Sequence, residues 1–141
     1  MKRKIASAKL RSSAFNRTRA DHAHELVQDY VELIAELIDE KGEARGTDIA
    51  LRLGVANATV AKTMKRLSDQ GLIEQEPYRA VFLTGDGWKL AEDGKRRHAI
   101  VENFLLALGI SPATAKCDSE GIEHHVSAET LRAMGRFLAK R

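Results

Sequence analysis

The sequence predicts a mainly α-helical fold in which an N-terminal winged helix-turn-helix precedes an all-helical domain. Apolar residues recur at helical spacing over most of the 141 residues. In the first half of the chain, a glycine turn separates two short helical stretches, and two β-prone runs follow them. We place the winged helix-turn-helix at residues 21–84 and the helical domain at residues 85–141, after a basic, flexible arm at residues 1–20.

The arm differs from the rest of the chain in charge. It contains seven of the 23 lysines and arginines and no acidic residue, whereas the remaining chain has 16 basic and 20 acidic side chains. Such an arm is typical of segments that contact phosphate backbones, but also of disordered tails that only increase solubility. The charge pattern alone leaves both interpretations open.

Cysteine content and hydropathy limit the class of protein. The single cysteine excludes a disulfide framework and favours a reducing compartment. No apolar run approaches the ~20 residues that a membrane-spanning helix needs. We therefore expect a cytoplasmic protein with no membrane partner.

The first predicted helix covers residues 21–41. Asp21 is its expected N-terminal cap, and Gly42 is expected to end it. Asp29 and Glu32 lie beside its apolar stripe, where acidic side chains are usually solvated. The stripe is formed by Leu26, Tyr30, Leu33, Ile34, Leu37 and Ile38.

Residues 43–71 are interpreted as two helices joined by a tight turn at Gly54. Val60, Met64 and Leu67 of the second helix are predicted to face the core. Its outer face then has small polar and basic side chains, which suit contacts in a DNA major groove. These side chains belong to Asn57, Thr59, Lys62, Thr63 and Arg66. The alternative is an ordinary helical hairpin with a basic surface.

A β-hairpin is predicted directly after the second helix. The runs 72–76 and 80–83 are β-prone, and Pro77-Tyr78-Arg79 joins them. Helix, turn, helix and hairpin is the order of elements in a winged helix. Arg79 at the tip of the wing is a candidate contact to a phosphate or to the minor groove.

Three helices are predicted for the second half of the chain. A long helix covers about residues 86–108, a second covers residues 112–125, and a third begins after Ser127, which is its expected cap. Gly94 lies inside the long helix and costs about 1 kcal/mol relative to alanine. This glycine indicates either a bend or a close contact with another helix.

Carboxylates and imidazoles recur on three of the predicted helices. Glu120, Glu123 and His124 are three and four residues apart, which would place them on one helical face. Burying such a face is costly unless a positive charge is present. Taken alone, each residue is equally explained as a solvated acid or a structural histidine.

Considered together, these side chains suggest a metal site. Four carboxylates match the charge of two divalent cations, and oxygen and imidazole donors without sulfur favour Mn²⁺, with Fe²⁺ as the alternative. The candidate ligands are Asp29, Glu32, His98, Glu120, Glu123 and His124.

Five short motifs carry a resemblance to a known family. They are Asp29-Tyr30-Val31-Glu32, Gly54-Val55, Thr59-Val60-Ala61-Lys62, Arg97-His98 and Glu120-Gly121-Ile122-Glu123-His124-His125. With them the chain resembles the manganese-responsive branch of the diphtheria-toxin-repressor (iron-dependent repressor) family over about residues 21–141. In that family the metal ligands occupy the positions of the six candidate residues. Iron-responsive relatives carry methionine at the position of Asp29 and cysteine at that of Glu120, so the acids found here favour manganese.

The resemblance implies a repressor of manganese uptake genes. Such a protein would bind a palindromic double-stranded operator as a homodimer when Mn²⁺, two ions per subunit, is bound. Residues 85–141 would then be the metal-binding and dimerisation domain. An iron-sensing repressor of the same family is the alternative, as is a winged-helix protein whose acidic cluster binds metal only adventitiously.

A dinuclear carboxylate enzyme is the rival from another class. Ferritin-like di-iron proteins use Glu-x-x-His on two helices of a bundle. Here a histidine follows Glu120 by four residues, and the sequence contains no second copy of the motif. We therefore expect no enzymatic activity and no small-molecule substrate.

Overall fold

A computed structural model describes residues 7–75 and 79–141. Outside the described residues lie the first six residues of the expected arm, and residues 76–78, which are the end of the first predicted β-prone run and two of the three expected loop residues. Nothing is described of the side chains of Thr18 and Asp21. The described elements are α1 (Ala8–Lys41), α2 (Gly46–Leu53), α3 (Asn57–Asp69), β1 (Ile73–Gln75), β2 (Val81–Leu83), α4 (Gly85–Ala107), α5 (Pro112–Ile122) and α6 (Ala128–Ala139). No described helix combines the length and the hydropathy that a membrane span requires.

Helix α1 begins well before the predicted start at Asp21. Ser7 is its N-cap, and the Ser7 side chain accepts a hydrogen bond from the Leu10 backbone N–H at 3.2 Å. The prediction of a cap at Asp21 is therefore wrong, and the expected flexible arm is helical from Ala8 onward. The described side chains of residues 8–20 are exposed. A helix without a buried face needs no apolar stripe, and the stripe is the pattern from which a helix is predicted in a sequence. The sequence therefore did not indicate this part of α1.

The second half of α1 packs with α2, α3 and the hairpin around the larger apolar core. Strands β1 and β2 are antiparallel with Glu74 opposite Phe82, and the Val81 N–H donates to the Ala44 carbonyl at 2.7 Å. This arrangement confirms the predicted winged helix. The core side chains include Tyr30, Ile34, Leu37, Ile49, Met64 and Leu67.

The buried face of α3 differs from the prediction at one position. Thr63 was expected on the outer face, but it is 9 % exposed, so that expectation is wrong. Thr63 follows Val60 by three residues and precedes Met64 by one, which places it within the buried stripe despite its hydroxyl. The other predicted outer residues of this helix are exposed: Asn57, Thr59, Lys62 and Arg66.

Helix α4 connects the winged helix to the helical half. It packs against α1, α5 and α6. Val101 of α4, Ala115 of α5 and Leu131 of α6 are buried. At Gly94, an added Cβ would overlap the Glu32 carboxyl and the Gln28 amide of α1. Of the two alternatives for Gly94, a bend or a close helix contact, the structure shows the close contact.

Candidate metal centre

A cavity of about 770 Å³ lies where α1 and α4 meet the end of α5. Its walls contain many acidic and imidazole side chains. All six candidate ligands line it: Asp29, Glu32, His98, Glu120, Glu123 and His124. The cavity thus brings together residues from both halves of the chain.

Glu123 and His124 form the inner part of the cavity, and each side chain is 6 % exposed. Nε2 of His124 lies 3.3 Å from Oδ1 of Asp29 and 3.4 Å from Oε1 of Glu123. The second carboxylate oxygen of Glu123 lies 3.5 Å from Nδ1 of His98. These contacts join α1, α4 and the end of α5 through four of the candidate residues.

The sequence had suggested that Glu123 and His124 lie on a helix that covers residues 112–125. This prediction is wrong. Helix α5 ends at Ile122, Glu123 is its C-cap, and His124 lies in the turn before α6. Ser127 caps α6 as predicted, accepting a hydrogen bond from the Thr130 N–H at 3.2 Å. The turn directs the buried side chains of Glu123 and His124 towards α1 and α4. If both residues shared a helical face with Glu120, they would be expected to be exposed as Glu120 is.

Glu32 and Glu120 occupy different surroundings in the same cavity. The Glu32 carboxyl is partly buried against Gly94, whereas Glu120 is exposed on α5. Asp29 is also accessible, with 47 % of its side chain exposed. The cavity is therefore open to solvent at Asp29 and Glu120 and closed at Glu123 and His124.

The clustered carboxylates disfavour each other's charged forms. Burial, followed by the negative charge of Glu123, raises the pKa of Glu32 to about 7. Burial also raises the pKa of Glu123. For His124, burial lowers the pKa, but the hydrogen bond to Asp29 and nearby carboxylates outweigh it, so the pKa is raised overall. The site thus favours added positive charge, whether from protons or from cations.

One buried atom indicates that the cavity suits a cation. Among the described side chains, Oε2 of Glu123 is buried and accepts no hydrogen bond, although Nδ1 of His98 lies 3.5 Å away. A buried carboxylate oxygen that accepts no hydrogen bond is costly, and a divalent cation would satisfy it. The surrounding donors are carboxylate oxygens and imidazole nitrogens, which suit a cation such as Mn²⁺. The residues present therefore fit the metal that the sequence predicted.

Sequence reasoning missed two acidic neighbours of the candidate ligands. A carboxylate oxygen of Glu25 lies within 4.8 Å of the ligand atoms of Asp29 and His124. Oε2 of Glu102 lies 3.0 Å from Nε2 of His98, and this contact fixes the direction of the imidazole. Glu25 is four residues from Asp29 on α1, and Glu102 is four residues from His98 on α4. This helical spacing could have indicated that both acids lie beside candidate ligands.

The candidate nucleic-acid contacts form a separate group on the winged helix. Asn57, Thr59, Lys62 and Arg66 are exposed on α3, and Arg79 is exposed beside β2. Thr63 does not belong to this surface because it is buried. The remaining side chains are polar or basic, as contacts to a DNA groove require.

Two protein-family models match the chain. The model described as iron dependent repressor, N-terminal DNA binding domain, matches residues 23–81. The model described as iron dependent repressor, metal binding and dimerisation domain, matches residues 84–141. Together they cover most of the chain.

Curated proteins similar to this chain include transcriptional regulators. The transcriptional regulator MntR of Escherichia coli O157:H7 is 58 % identical over 126 residues, which are 89 % of this chain and 81 % of that protein. The regulator of the same name from Salmonella typhimurium strain LT2 is 58 % identical over 125 residues, covering 89 % of this chain and 78 % of that protein.

Among solved structures, a manganese-dependent transcriptional repressor in complex with manganese aligns with a TM-score of 0.71 and 29 % identity, covering 80 % of this chain and 52 % of that chain. ScaR with bound Zn²⁺ aligns with a TM-score of 0.71 and 26 % identity, covering 82 % and 54 %. The chain thus spans about half the length of these two solved structures.

Proposed function

The chain belongs to the iron-dependent repressor family, and from this premise we propose that it is a manganese-responsive, DNA-binding transcriptional repressor that acts on manganese uptake genes. The observation that carries the proposal is the cavity in which carboxylates and imidazoles of both halves meet. The identity to curated MntR regulators supports manganese as the signal. The names of these relatives also support a regulator rather than an enzyme.

We assign the metal site to the six residues that line the cavity. Asp29 and Glu32 would bind from α1, His98 from α4, and Glu120, Glu123 and His124 from α5 and the following turn. Bound Mn²⁺ would supply the positive charge that offsets four clustered carboxylates, and this charge balance favours two ions per subunit. Fe²⁺ is the alternative ion, since the same donors accept it.

We infer from the position of the site how metal would control DNA binding. Helix α1 belongs to the winged helix, residues 21–84, whereas the other ligands belong to the helical half, residues 85–141. Without metal, repulsion among the carboxylates weakens the contact between the halves. Metal favours the state in which they are joined, by as much as its affinities for the two states differ. By linkage, operator DNA must tighten metal binding by the same factor.

DNA recognition is assigned to the exposed face of α3 and to the wing. Asn57, Thr59 and Arg66 would face the base edges of the major groove, whereas Lys62 on the same helix and Arg79 on the wing would each contact a phosphate. In a two-fold dimer, two copies of α3 would reach successive major grooves about 34 Å apart on a palindromic operator. When metal holds the winged helix and the helical half of each subunit together, the distance between the two copies of α3 in the dimer would be fixed as well.

The first test measures operator affinity by fluorescence anisotropy, with promoter DNA of manganese transporter genes, at one salt concentration and with chelator, Mn²⁺ or Fe²⁺. Salt is held fixed because phosphate contacts alone are strongly salt-dependent. We expect tight binding only with metal, and the ion that acts at the lower free concentration identifies the signal. Equal affinity with chelator and with metal would rule out the proposed switch.

Glu120→Ala tests the assignment of the cavity residues. Because Glu120 is exposed, we expect little change in the free energy of unfolding without metal, but a loss of at least about tenfold in Mn²⁺-dependent DNA affinity, or ~1.4 kcal/mol. Asp118→Ala is the matched control, since Asp118 is an exposed acid on α5 that does not line the cavity. An unchanged Mn²⁺ response in Glu120→Ala would contradict the assignment.

A further inference from the structure

A second group of metal-ligating side chains adjoins the cavity and shares one lining residue with it, Glu25. Oε2 of Glu25 is 3.5 Å from Nδ1 of His22 and 3.4 Å from Nε2 of His125. The three ligand atoms all lie within 4.8 Å of one another, and the two imidazole rings meet edge to face with centroids 5.4 Å apart. None of the three residues is among the six assigned to manganese, and His22 precedes the residues matched by the family models.

The geometry and donor types of this group point to zinc. Ligand atoms at zinc distances of 2.0–2.2 Å in a tetrahedral site lie about 3.3–3.6 Å apart. Both distances from the Glu25 oxygen already fall in this range. Two imidazoles and one carboxylate are a known three-residue donor set for zinc that leaves one coordination position open.

We propose that His22, Glu25 and His125 form a separate Zn²⁺ site. Its imidazole content distinguishes it from the carboxylate-rich cavity, because imidazole donors suit Zn²⁺ whereas carboxylate donors suit Mn²⁺. The site is accessible to a cation from solvent, since the His22, Glu25 and His125 side chains are 65 %, 27 % and 38 % exposed.

The site joins two distant parts of the chain. His22 and Glu25 lie on α1, whereas His125 lies in the turn between α5 and α6. The part of α1 that precedes His22 is exposed and basic, with Lys9, Arg11, Arg17 and Arg19. Zn²⁺ at this site would therefore join α1, directly after its basic segment, to the turn between α5 and α6.

The test measures Zn²⁺ binding to the full chain by competition with a chromophoric zinc chelator. We expect wild type to bind one more zinc per chain than His22→Ala, or to bind that zinc at least about tenfold more tightly. His125→Ala should lose the same equivalent, and the double variant should lose no more than either single variant. His24→Ala is the matched control, because His24 is also exposed on α1 but is not part of the group.

Zinc binding that is the same in wild type and His22→Ala would overturn the proposal, as would an equal loss in His24→Ala. Circular dichroism checks that His22→Ala is folded, which its exposed position favours. Manganese-dependent DNA binding is measured on the same samples. Because His22→Ala retains all six cavity residues, we expect that response to persist, so the zinc site and the proposed repressor function can each fail independently.

Discussion

At the scale of single residues, folding raises the pKa of both Glu32 and His124. The pKa of Glu32 is raised to about 7, so without metal the folded protein keeps a proton there that the unfolded chain releases near pH 4.5. The pKa of His124 is also raised, so the stability that it contributes is present below pH 6.5 and is lost as pH rises through its folded pKa. Between about pH 4.5 and 7 the native state therefore binds more protons than the unfolded state.

We predict that the metal-free protein becomes less stable as pH rises through this window. The measurement is the urea midpoint of unfolding with chelator, at about pH 5.5 and about pH 7.5. Glu32→Gln should reduce the difference between the two midpoints, because it removes one of the titrating groups. Asp118→Asn, at an exposed acid of α5 that does not line the cavity, should change it less. The same pH dependence in both variants would show that Glu32 does not titrate as described.

At the scale of the elements, Gly94 determines how closely α1 and α4 approach. We predict that Gly94→Ala lowers Mn²⁺ affinity at least about tenfold, because the new Cβ occupies the position of the Glu32 carboxyl. The overlap is with the ends of flexible side chains, so the protein should still fold. Titration calorimetry with Mn²⁺ gives the affinity.

Gly85→Ala is the control for this change. Gly85 lies on the same helix, and an added Cβ there meets no atom within 4 Å. We expect Mn²⁺ affinity to be unchanged in this variant. If both alanine variants bound Mn²⁺ as wild type does, the close contact at Gly94 would have no role in forming the site.

Helix α3 gives a prediction about DNA. Lys62→Ala should weaken binding about equally for all sequences and reduce the salt slope of log affinity by about one, because it removes one phosphate contact. Lys89→Ala, which removes an exposed lysine of α4, is the matched control and should leave the slope unchanged. Anisotropy titrations over a series of salt concentrations measure both slopes. Equal slopes in wild type and Lys62→Ala would exclude Lys62 from the DNA surface.

Helical periodicity predicted the helices that bury an apolar stripe. It did not predict the exposed start of α1 or the burial of a polar side chain on α3. It placed the end of α1 correctly, since Gly42 adopts a left-handed conformation with φ 81°. It missed the start at Ala8, because the described residues of this segment are exposed. It also placed Thr63 outside, since side-chain polarity was weighed above position on the helix.

The candidate metal site was predictable as a set of residues but not as a geometry. The motif resemblance selected all six residues. Local spacing could not show that His124 contacts Asp29, because these residues are distant in sequence and meet only through the packing of α1 on α4. The contact of His22 and Glu25 with His125 was missed for the same reason.

At the scale of the whole molecule, the helical half exposes apolar side chains that a dimer would cover. Leu106, Leu108, Ile110 and Phe137 are 38 %, 58 %, 37 % and 46 % exposed. Large apolar side chains that stay exposed in a folded chain are candidates for a protein interface. The family model that matches residues 84–141 is described as a dimerisation domain. We therefore place the homodimer interface on this half.

We predict that Leu108→Glu converts the dimer to a monomer, because the interface would then bury an unpaired charge. Operator affinity should fall at least tenfold, since the two copies of α3 are no longer linked. Leu51→Glu is the control for oligomeric state, because Leu51 is 81 % exposed on α2, within the winged helix. Sedimentation equilibrium measures the mass, and a dimeric Leu108→Glu protein would place the interface elsewhere.

The gradient of exposure across the cavity also bears on how fast the protein responds. Asp29 and Glu120 lie at the surface, where they would contact a cation before Glu123 and His124 did. With this arrangement, protein ligands would replace hydration water one at a time on binding, and the order would reverse on release. Small domains unfold on timescales from below a second to days. Because the outer ligands are already at the surface, metal release does not have to wait for unfolding, and we expect the lifetime of the repressed state to follow ligand exchange at the cavity mouth.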